Sequence, residues 1–214
     1  MTTSERIQVL RAAERPATAW LNGGGVTREV AGHPAGAGLD GFDWRVSLAD
    51  VASAGPFSPF PGVDRVITLV EGPGMVLTVD GTEHAVDAPF RPFAFPGEAE
   101  TDCRLLGGPV VDFNVMTRRG RVGAGVDLFT APGAVDVPAG DSVLVVCLAG
   151  SAAVADVAAV AAPADAAEPA DGTTGAADVA LDRFDGALLA GPGAYEVRVP
   201  HGGVTAVVSF RASR

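Results

Sequence analysis

Val143-Leu144-Val145-Val146-Cys147-Leu148-Ala149-Gly150 repeats in outline an earlier run, Val66-Ile67-Thr68-Leu69-Val70-Glu71-Gly72, with the closing glycines 78 residues apart (150 - 72). Each is a short apolar, β-branched stretch ended by a glycine turn, the pattern of a buried strand. Further on, Phe95-Pro96-Gly97 matches Leu189-Ala190-Gly191, and Phe113-Asn114-Val115-Met116 matches Val207-Val208-Ser209-Phe210, both at an offset of 94 (191 - 97). The constant late offset marks a duplication. The 16 residues gained (94 - 78) fall within 155–178, a segment of Ala, Asp, Pro and Gly. Such a segment has too few large apolar side chains to offset its ordering entropy, and it reads as an exposed loop between two strands. A helix over 154–162, ended by Pro163, is the other reading.

Strand patterns fill the rest of the chain. Phe42, Trp44, Val46 and Leu48 alternate with Asp43, Arg45, Ser47 and Ala49, the period of a half-buried strand. Val66–Val70 and Met75–Val79 flank Glu71-Gly72-Pro73-Gly74 and read as a hairpin. With Gly 28 and Pro 16, the chain is suited to many short strands. Two copies of a strand, turn, strand, glycine-turn, strand pattern predict an all-β fold of two small barrels or sandwiches in tandem. The N-terminal half is assigned to 1–120 and the C-terminal half to 121–214, with the insertion at 155–178.

Composition excludes several classes of function. Asp+Glu 26 against Lys+Arg 15 gives a formal charge of -11, and no basic run is longer than Arg118-Arg119, so nucleic acid is not an expected partner. The N-terminus opens polar without an apolar signal core, and the uncharged stretch 143–155 is too short to span a bilayer. A cytoplasmic protein without membrane association is therefore expected. Cys103 and Cys147 are isolated and read as buried thiols.

The segment Trp20-Leu21-Asn22-Gly23-Gly24-Gly25-Val26-Thr27-Arg28-Glu29-Val30 places three glycines before a strand-like run. It fits neither the Walker nor the dinucleotide glycine spacing. It is similar to the opening signature of the HutD/Ves family, Trp-Lys-Asn-Gly-Gly-Gly-x-Thr-Arg-Glu. The resemblance continues through Phe42-Asp43-Trp44-Arg45-Val46-Ser47-Leu48-Ala49, Gly55-Pro56-Phe57-Ser58, Phe60-Pro61-Gly62-Val63-Asp64-Arg65, Leu69-Val70-Glu71-Gly72 and Asp112-Phe113-Asn114-Val115-Met116. Leu21 departs from the family lysine. The resemblance implies a bicupin of two jelly-roll barrels and a link to histidine utilisation, with urocanate or a formylated glutamate as the ligand class. The Ves branch is associated with environmental stress, and the motifs do not separate the two branches.

The residues offer little to a metal or a nucleophile. His33, His84 and His201 form no His-x-His pair and read as exposed turn residues, so no metal and no cofactor is expected. There is no Gly-x-Ser-x-Gly elbow, and no catalytic residue is assigned. Glu29, Asp43, Asp64 and Asp112 leave paired-carboxylate chemistry open. The candidate ligand-binding set is Asn22, Gly23, Gly24, Thr27, Arg28, Glu29, Trp44, Arg45, Ser47, Arg65 and Asn114. Arginine forks hold carboxylates through two hydrogen bonds, asparagine both donates and accepts, and glycine lets backbone approach a ligand. Trp20, Phe42, Trp44, Phe60 and Phe95 are candidate walls. The duplication aligns Asn114 with Val208 and Met116 with Phe210, which puts the pocket in the N-terminal half.

The leading reading is a metal-free cupin protein that binds a small carboxylate metabolite, with at least one of Arg28, Arg45 and Arg65 pointing into the barrel. The alternatives are a metal-independent enzyme with Glu29 or Asp64 as base, and a structural or interaction module. A homodimer is compatible with each.

Overall fold

The computed structural model describes residues 6–20, 23–157 and 178–213. The apolar alternation condenses into nineteen strands among these residues. The first ten are β1 (Ile7–Leu10), β2 (Ala17–Ala19), β3 (Gly25–His33), β4 (Trp44–Val51), β5 (Gly55–Pro56), β6 (Val63–Glu71), β7 (Met75–Val79), β8 (Thr82–Val86), β9 (Pro92–Pro96) and β10 (Thr101–Leu105). The others are β11 (Val110–Arg118), β12 (Val122–Phe129), β13 (Gly133–Val137), β14 (Ser142–Ala149), β15 (Ala152–Asp156), β16 (Val179–Leu181), β17 (Gly186–Ala190), β18 (Gly193–Arg198) and β19 (Val204–Ala212). Among the described residues no helix is long and apolar enough to cross a membrane.

The chain divides into two compact units, one of Ala13–Val126 with Ala212–Arg214, the other of Met1–Ala12 with Asp127–Arg211; β12 runs across the boundary. The N-terminal unit stacks a six-stranded sheet, β2-β3-β4-β11-β6-β9, on a four-stranded sheet, β5-β10-β7-β8. Its core joins Ala49, Val51, Ile67, Leu69, Phe95 and Val110 of the first sheet to Met75, Leu77, Val79, Val86 and Cys103 of the second. That membership fixes which face of each strand looks inward, since neighbours along a strand point to opposite faces.

The hairpin expected across 71–74 is a corner instead. β6 lies between β11 and β9, and β7 between β10 and β8, so the turn carries the chain from one sheet to the other. Gly72 has φ +100, and a Cβ there would stand 2.5 Å from the Pro109 carbonyl oxygen. A hairpin turn and an inter-sheet corner both call for glycine with positive φ, so local sequence does not separate them.

In the C-terminal unit β13-β18-β15-β16 form one sheet, and β17, β14 and β19 pair in the other. The expected division at 120/121 left the chain's first residues with the N-terminal half. β1 pairs instead with the outer edge of β17, Ile7 opposite Leu189 and Leu10 opposite Gly186. Two arginines flank this added strand: Arg6 meets buried Asp156 at 3.1 Å, and Arg11 meets Asp185 at 2.6 Å. The Ala12 N–H also donates to Asp185 at 2.7 Å. Of the expected insertion, Ala155 and Asp156 are buried in β15, and 158–177 lie outside the described residues.

The duplication is visible in paired details. The Phe90 N–H donates to the Leu69 carbonyl at 2.8 Å, and the Phe184 N–H to the Cys147 carbonyl at 2.6 Å. Both phenylalanines have positive φ, 60 and 70. The donors are 94 residues apart (184 - 90) and the acceptors 78 (147 - 69). The last strand, however, runs at 93. Asn114 faces Ile67 and Val207 faces Val145, while Asp112 faces Leu69 and Thr205 faces Cys147. The counterparts of Asp112, Asn114 and Met116 are therefore Thr205, Val207 and Ser209, one residue from the sequence alignment. A slip of one residue exchanges the faces of a strand, so the correction decides which side chains line each barrel.

Candidate functional site

The inward face of the six-stranded sheet can be read row by row from the strand register. One row runs Gly32, Arg45, Met116, Arg65, Phe95 from β3 to β9. The next runs Glu29, Ser47, Asn114, Ile67, Phe93, and below it Thr27, Ala49, Asp112, Leu69. The last, Gly25, Val51, Val110, is apolar. The interior thus grades from charged to apolar along the strands.

Glycines shape the β3 side of this face. A Cβ on Gly32 would approach the Glu29 Oε1 to 3.2 Å, so glycine leaves room for that carboxylate, which accepts a hydrogen bond from Arg45 Nε at 2.6 Å. A Cβ on Gly25 would lie 2.6 Å from the Asp50 carbonyl oxygen and 3.1 Å from the Trp20 ring. Gly25 therefore lets the indole settle over the strand. Its Nε1–H donates to Thr27 Oγ1 at 2.7 Å, and its ring meets Phe57 edge-on at 6.2 Å.

Phe57 begins the enclosure of Arg65. The guanidinium carbon lies 5.1 Å from the Phe57 centroid, 5.7 Å from Phe60 and 5.0 Å from Phe95, all within cation–π range. Arg65 is only 7% exposed, and its Nε has no hydrogen-bond partner. It makes no ion pair among the described residues. Ring faces attract the cation without using its N–H groups, so its hydrogen-bonding capacity stays unspent. Burial lowers Arg65 to about 10, partly opposed by Asp112, with Arg45 adding to the fall; it remains a cation at neutral pH.

Two further polar residues share this interior. Asn114 is 8% exposed and its Oδ1 is buried without a partner. Asp112 is 2% exposed. Burial pushes its carboxyl up to about 7, against the pull of Arg65 and with a smaller push from Asp50. Cys103 faces the same interior, its thiol raised to about 11 by burial and then by Asp112 and Asp102, so it stays protonated. Buried polar atoms without partners are costly, and this face holds two of them, the Arg65 Nε and the Asn114 Oδ1; Thr68, Tyr195 and Thr205 hold others elsewhere in the two units.

The sequence-predicted residues divide cleanly. Thr27, Glu29, Arg45, Ser47, Arg65 and Asn114 share the inward face. Arg28 does not: it lies on the opposite face of β3 and pairs with Asp50. Trp44 is likewise on the opposite face of β4, buried and stacked with His33 at 6.2 Å. Gly23 turns the chain with φ +71, and the Gly24 carbonyl accepts from the Ala52 N–H at 2.9 Å, which gives both a backbone role. Asn22 and Leu21 lie outside the described residues. Of the four candidate carboxylates, Glu29 pairs with Arg45, Asp43 with Arg121 and Asp64 with Arg119, leaving Asp112 without an ion pair among the described residues.

Of the candidate walls, Trp20, Phe60 and Phe95 take part in the enclosure, and Phe42 packs with Val63 and Met116. His84 is not a turn residue as expected but a half-buried member of β8, its ring 4.8 Å from Phe93, which stacks at 5.7 Å on Phe95. A cavity of about 420 Å³ lies beside this row, lined by residues 83–88 and 91–93. Among the described residues no three His, Cys, Asp or Glu side chains gather as a metal-ligand set. In the sequence Asp112 is named only as one of four carboxylates open to acid/base chemistry and stands outside the ligand-binding set, and Phe57 is not named as a site residue, although the order Asp112-Phe113-Asn114 puts two polar groups on one strand face.

The HutD family profile matches residues 12–207. An uncharacterized 21.2 kDa protein in the hutC 3' region of Pseudomonas putida is 48% identical over 111 residues, an alignment that covers 52% of this chain and 58% of that relative. HutD of Pseudomonas fluorescens SBW25, solved in a formate condition, superposes with a TM-score of 0.77 at 32% identity over 96% of this chain and 98% of that one. A cupin 2 conserved barrel domain protein from Leptotrichia buccalis matches with a TM-score of 0.53 at 8% identity, over 88% of each chain, a likeness of fold alone. The chain belongs to the HutD family.

Proposed function

From this family membership and the interior of the N-terminal barrel, we propose that the chain binds a small carboxylate-bearing metabolite on Arg65 and does not need a metal to do so. The observation that carries the reading is the state of Arg65: a buried cation enclosed by Phe57, Phe60 and Phe95, without an ion pair among the described residues. A carboxylate approaching in the plane of the guanidinium would receive two charge-assisted hydrogen bonds without displacing a ring. Asn114 beside it would donate to, or accept from, a second polar group of the ligand. Arg45 is already committed to Glu29 and would contribute field rather than contact.

The C-terminal barrel supports the reading by contrast. At the positions equivalent to Arg65, Asp112 and Asn114 it has Val143, Thr205 and Val207, and it forms a packed core without them. The charged set is thus no requirement of the architecture. The hutC-region relative favours histidine catabolism as the setting, with urocanate and N-formylglutamate as the ligands to try first.

Calorimetric titration of urocanate, N-formylglutamate and glutamate into the wild type and into Arg65→Ala tests the proposal. Saturable binding is expected for at least one of them, weakened by roughly 2 kcal/mol or more in the variant. Equal binding by a folded Arg65→Ala protein would sink it. The enzyme alternative is favoured by one observation, the upward-shifted carboxyl of Asp112, which suits a general base better than Glu29 or Asp64, each tied to an arginine. Turnover of a titrated compound, lost in Asp112→Asn, would establish it.

A further inference from the structure

We propose that Arg65 and Asp112 form a proton-coupled anion site, in which a carboxylate enters together with one proton and Asp112 carries that proton. The inference rests on the carboxylate reading of Arg65 and adds its regulation by pH.

Arg65 and Asp112 share the inward face two rows apart, and the burial of both couples their charges. Asp112 lies on the inward face between Ala49 and Leu69, almost wholly out of water. The charged groups acting on it can be named strand by strand: Arg65 from β6, which favours its charged form, and Asp50 from β4, which opposes it; Cys103 on β10 is a neutral thiol. Arg45 on β4 acts on Arg65 and is itself held by Glu29 of β3. Among the described residues Arg65 is therefore the stabilising charge for this carboxylate in a low-dielectric interior. A carboxylate that binds Arg65 neutralises it and adds a second negative charge to the interior that Asp112 faces. Both changes disfavour the ionised side chain, and the outcome is proton uptake from solvent onto an Asp112 oxygen. No bond other than that O–H forms, and none breaks. The protonated carboxyl is then an O–H donor facing the same interior as Asn114.

With the unliganded Asp112 titrating at about 7, the direction of the pH effect is fixed. Below that point the site is already protonated and anion affinity is at its maximum. Above it the proton must be taken up on binding, so affinity falls by up to tenfold per pH unit until the liganded site itself titrates.

Formate is a suitable probe, because it stays ionised across the range and has no second group to titrate. Its affinity is to be measured from pH 5.5 to 8.5, and the calorimetric heat at pH 8 compared in buffers of different ionisation enthalpy. The expected result for the wild type is uptake approaching one proton per formate at pH 8 and an affinity that declines above about 7. Asp112→Asn, which has no proton to take up, should show neither proton uptake nor a decline of affinity between pH 6 and pH 8. The buffer comparison uses unaltered protein, so the test survives a poorly folding variant. Formate binding that requires Arg65 but takes up no proton at pH 8 would overturn the proton coupling and leave the carboxylate site standing. Absence of formate binding, or binding unaffected by Arg65→Ala, would overturn both.

Discussion

Asp112 shows how one buried carboxyl can destabilise a fold. Its carboxyl is held near 7 in the folded chain by burial and belongs near 4 when unfolded. A folded value above the unfolded one means that the penalty is absent below about 4, grows as pH rises through the interval, and is complete above about 7. Asp112→Asn should therefore stabilise the ligand-free protein at pH 8, by on the order of a few kcal/mol, and change little at pH 4. Urea unfolding at the two pH values checks this, and an equal effect at both would contradict it. Much of the residue-level picture was legible beforehand: arginine, serine and asparagine at alternate positions of apolar strands have to face something polar. Asp112 could not be singled out because three other carboxylates had equal claims, and only the folded chain shows that those three have arginine partners. Phe57 escaped because it sits outside a regular strand, where periodicity says nothing of orientation.

At the level of single strands, β1 and its clamp hold the testable content. Asp185 receives the Ala12 N–H, the Asp182 N–H and the Arg11 guanidinium. Burial acts to raise its carboxyl, but these hydrogen bonds outweigh that and hold it below the usual carboxylate range. Stability from Asp185 is thus present above its unfolded value and lost as pH falls through the folded one. Asp185→Ala should cost about 1–3 kcal/mol at pH 7 and less at pH 3, read from denaturant midpoints. The equivalent strand in the other unit, β9, is also an edge but begins and ends in proline, which cannot donate to a ladder, whereas β17 offers Gly186 and Ala190. That contrast explains why one edge receives an added strand and the other does not. It could be read in the sequence only after the two strands were known to correspond. The existence of the long strands was legible from alternation; the partner of β1 was not, because its pairing spans nearly the whole chain.

For the whole molecule, the two units differ in what their interiors hold. One buries an arginine, an aspartate and an asparagine, and the other places valine and threonine at the same positions. Tandem duplication was readable from the offsets, and the one-residue slip in the last strand was not, because apolar residues occur on both of its faces. Removing residues 1–12 should expose the β17 edge while leaving β4, β6 and β11 intact. Amide hydrogen exchange on the truncated chain is expected to show protection lost in β14 and β17 and kept around Arg65; protection unchanged in β17 would mean that β1 adds nothing to its unit. The position of β1 also bears on how the chain is born. Ile7 is polymerised 182 residues before its partner Leu189 (189 - 7). At cellular elongation rates that is a wait of roughly ten to forty seconds, during which the polypeptide from Ala13 to Val126 is already free to collapse. β1 is thus made nearly the whole chain ahead of the strand it docks on, and a nascent-chain chaperone would find Ile7 and Val9 without that strand for the entire interval.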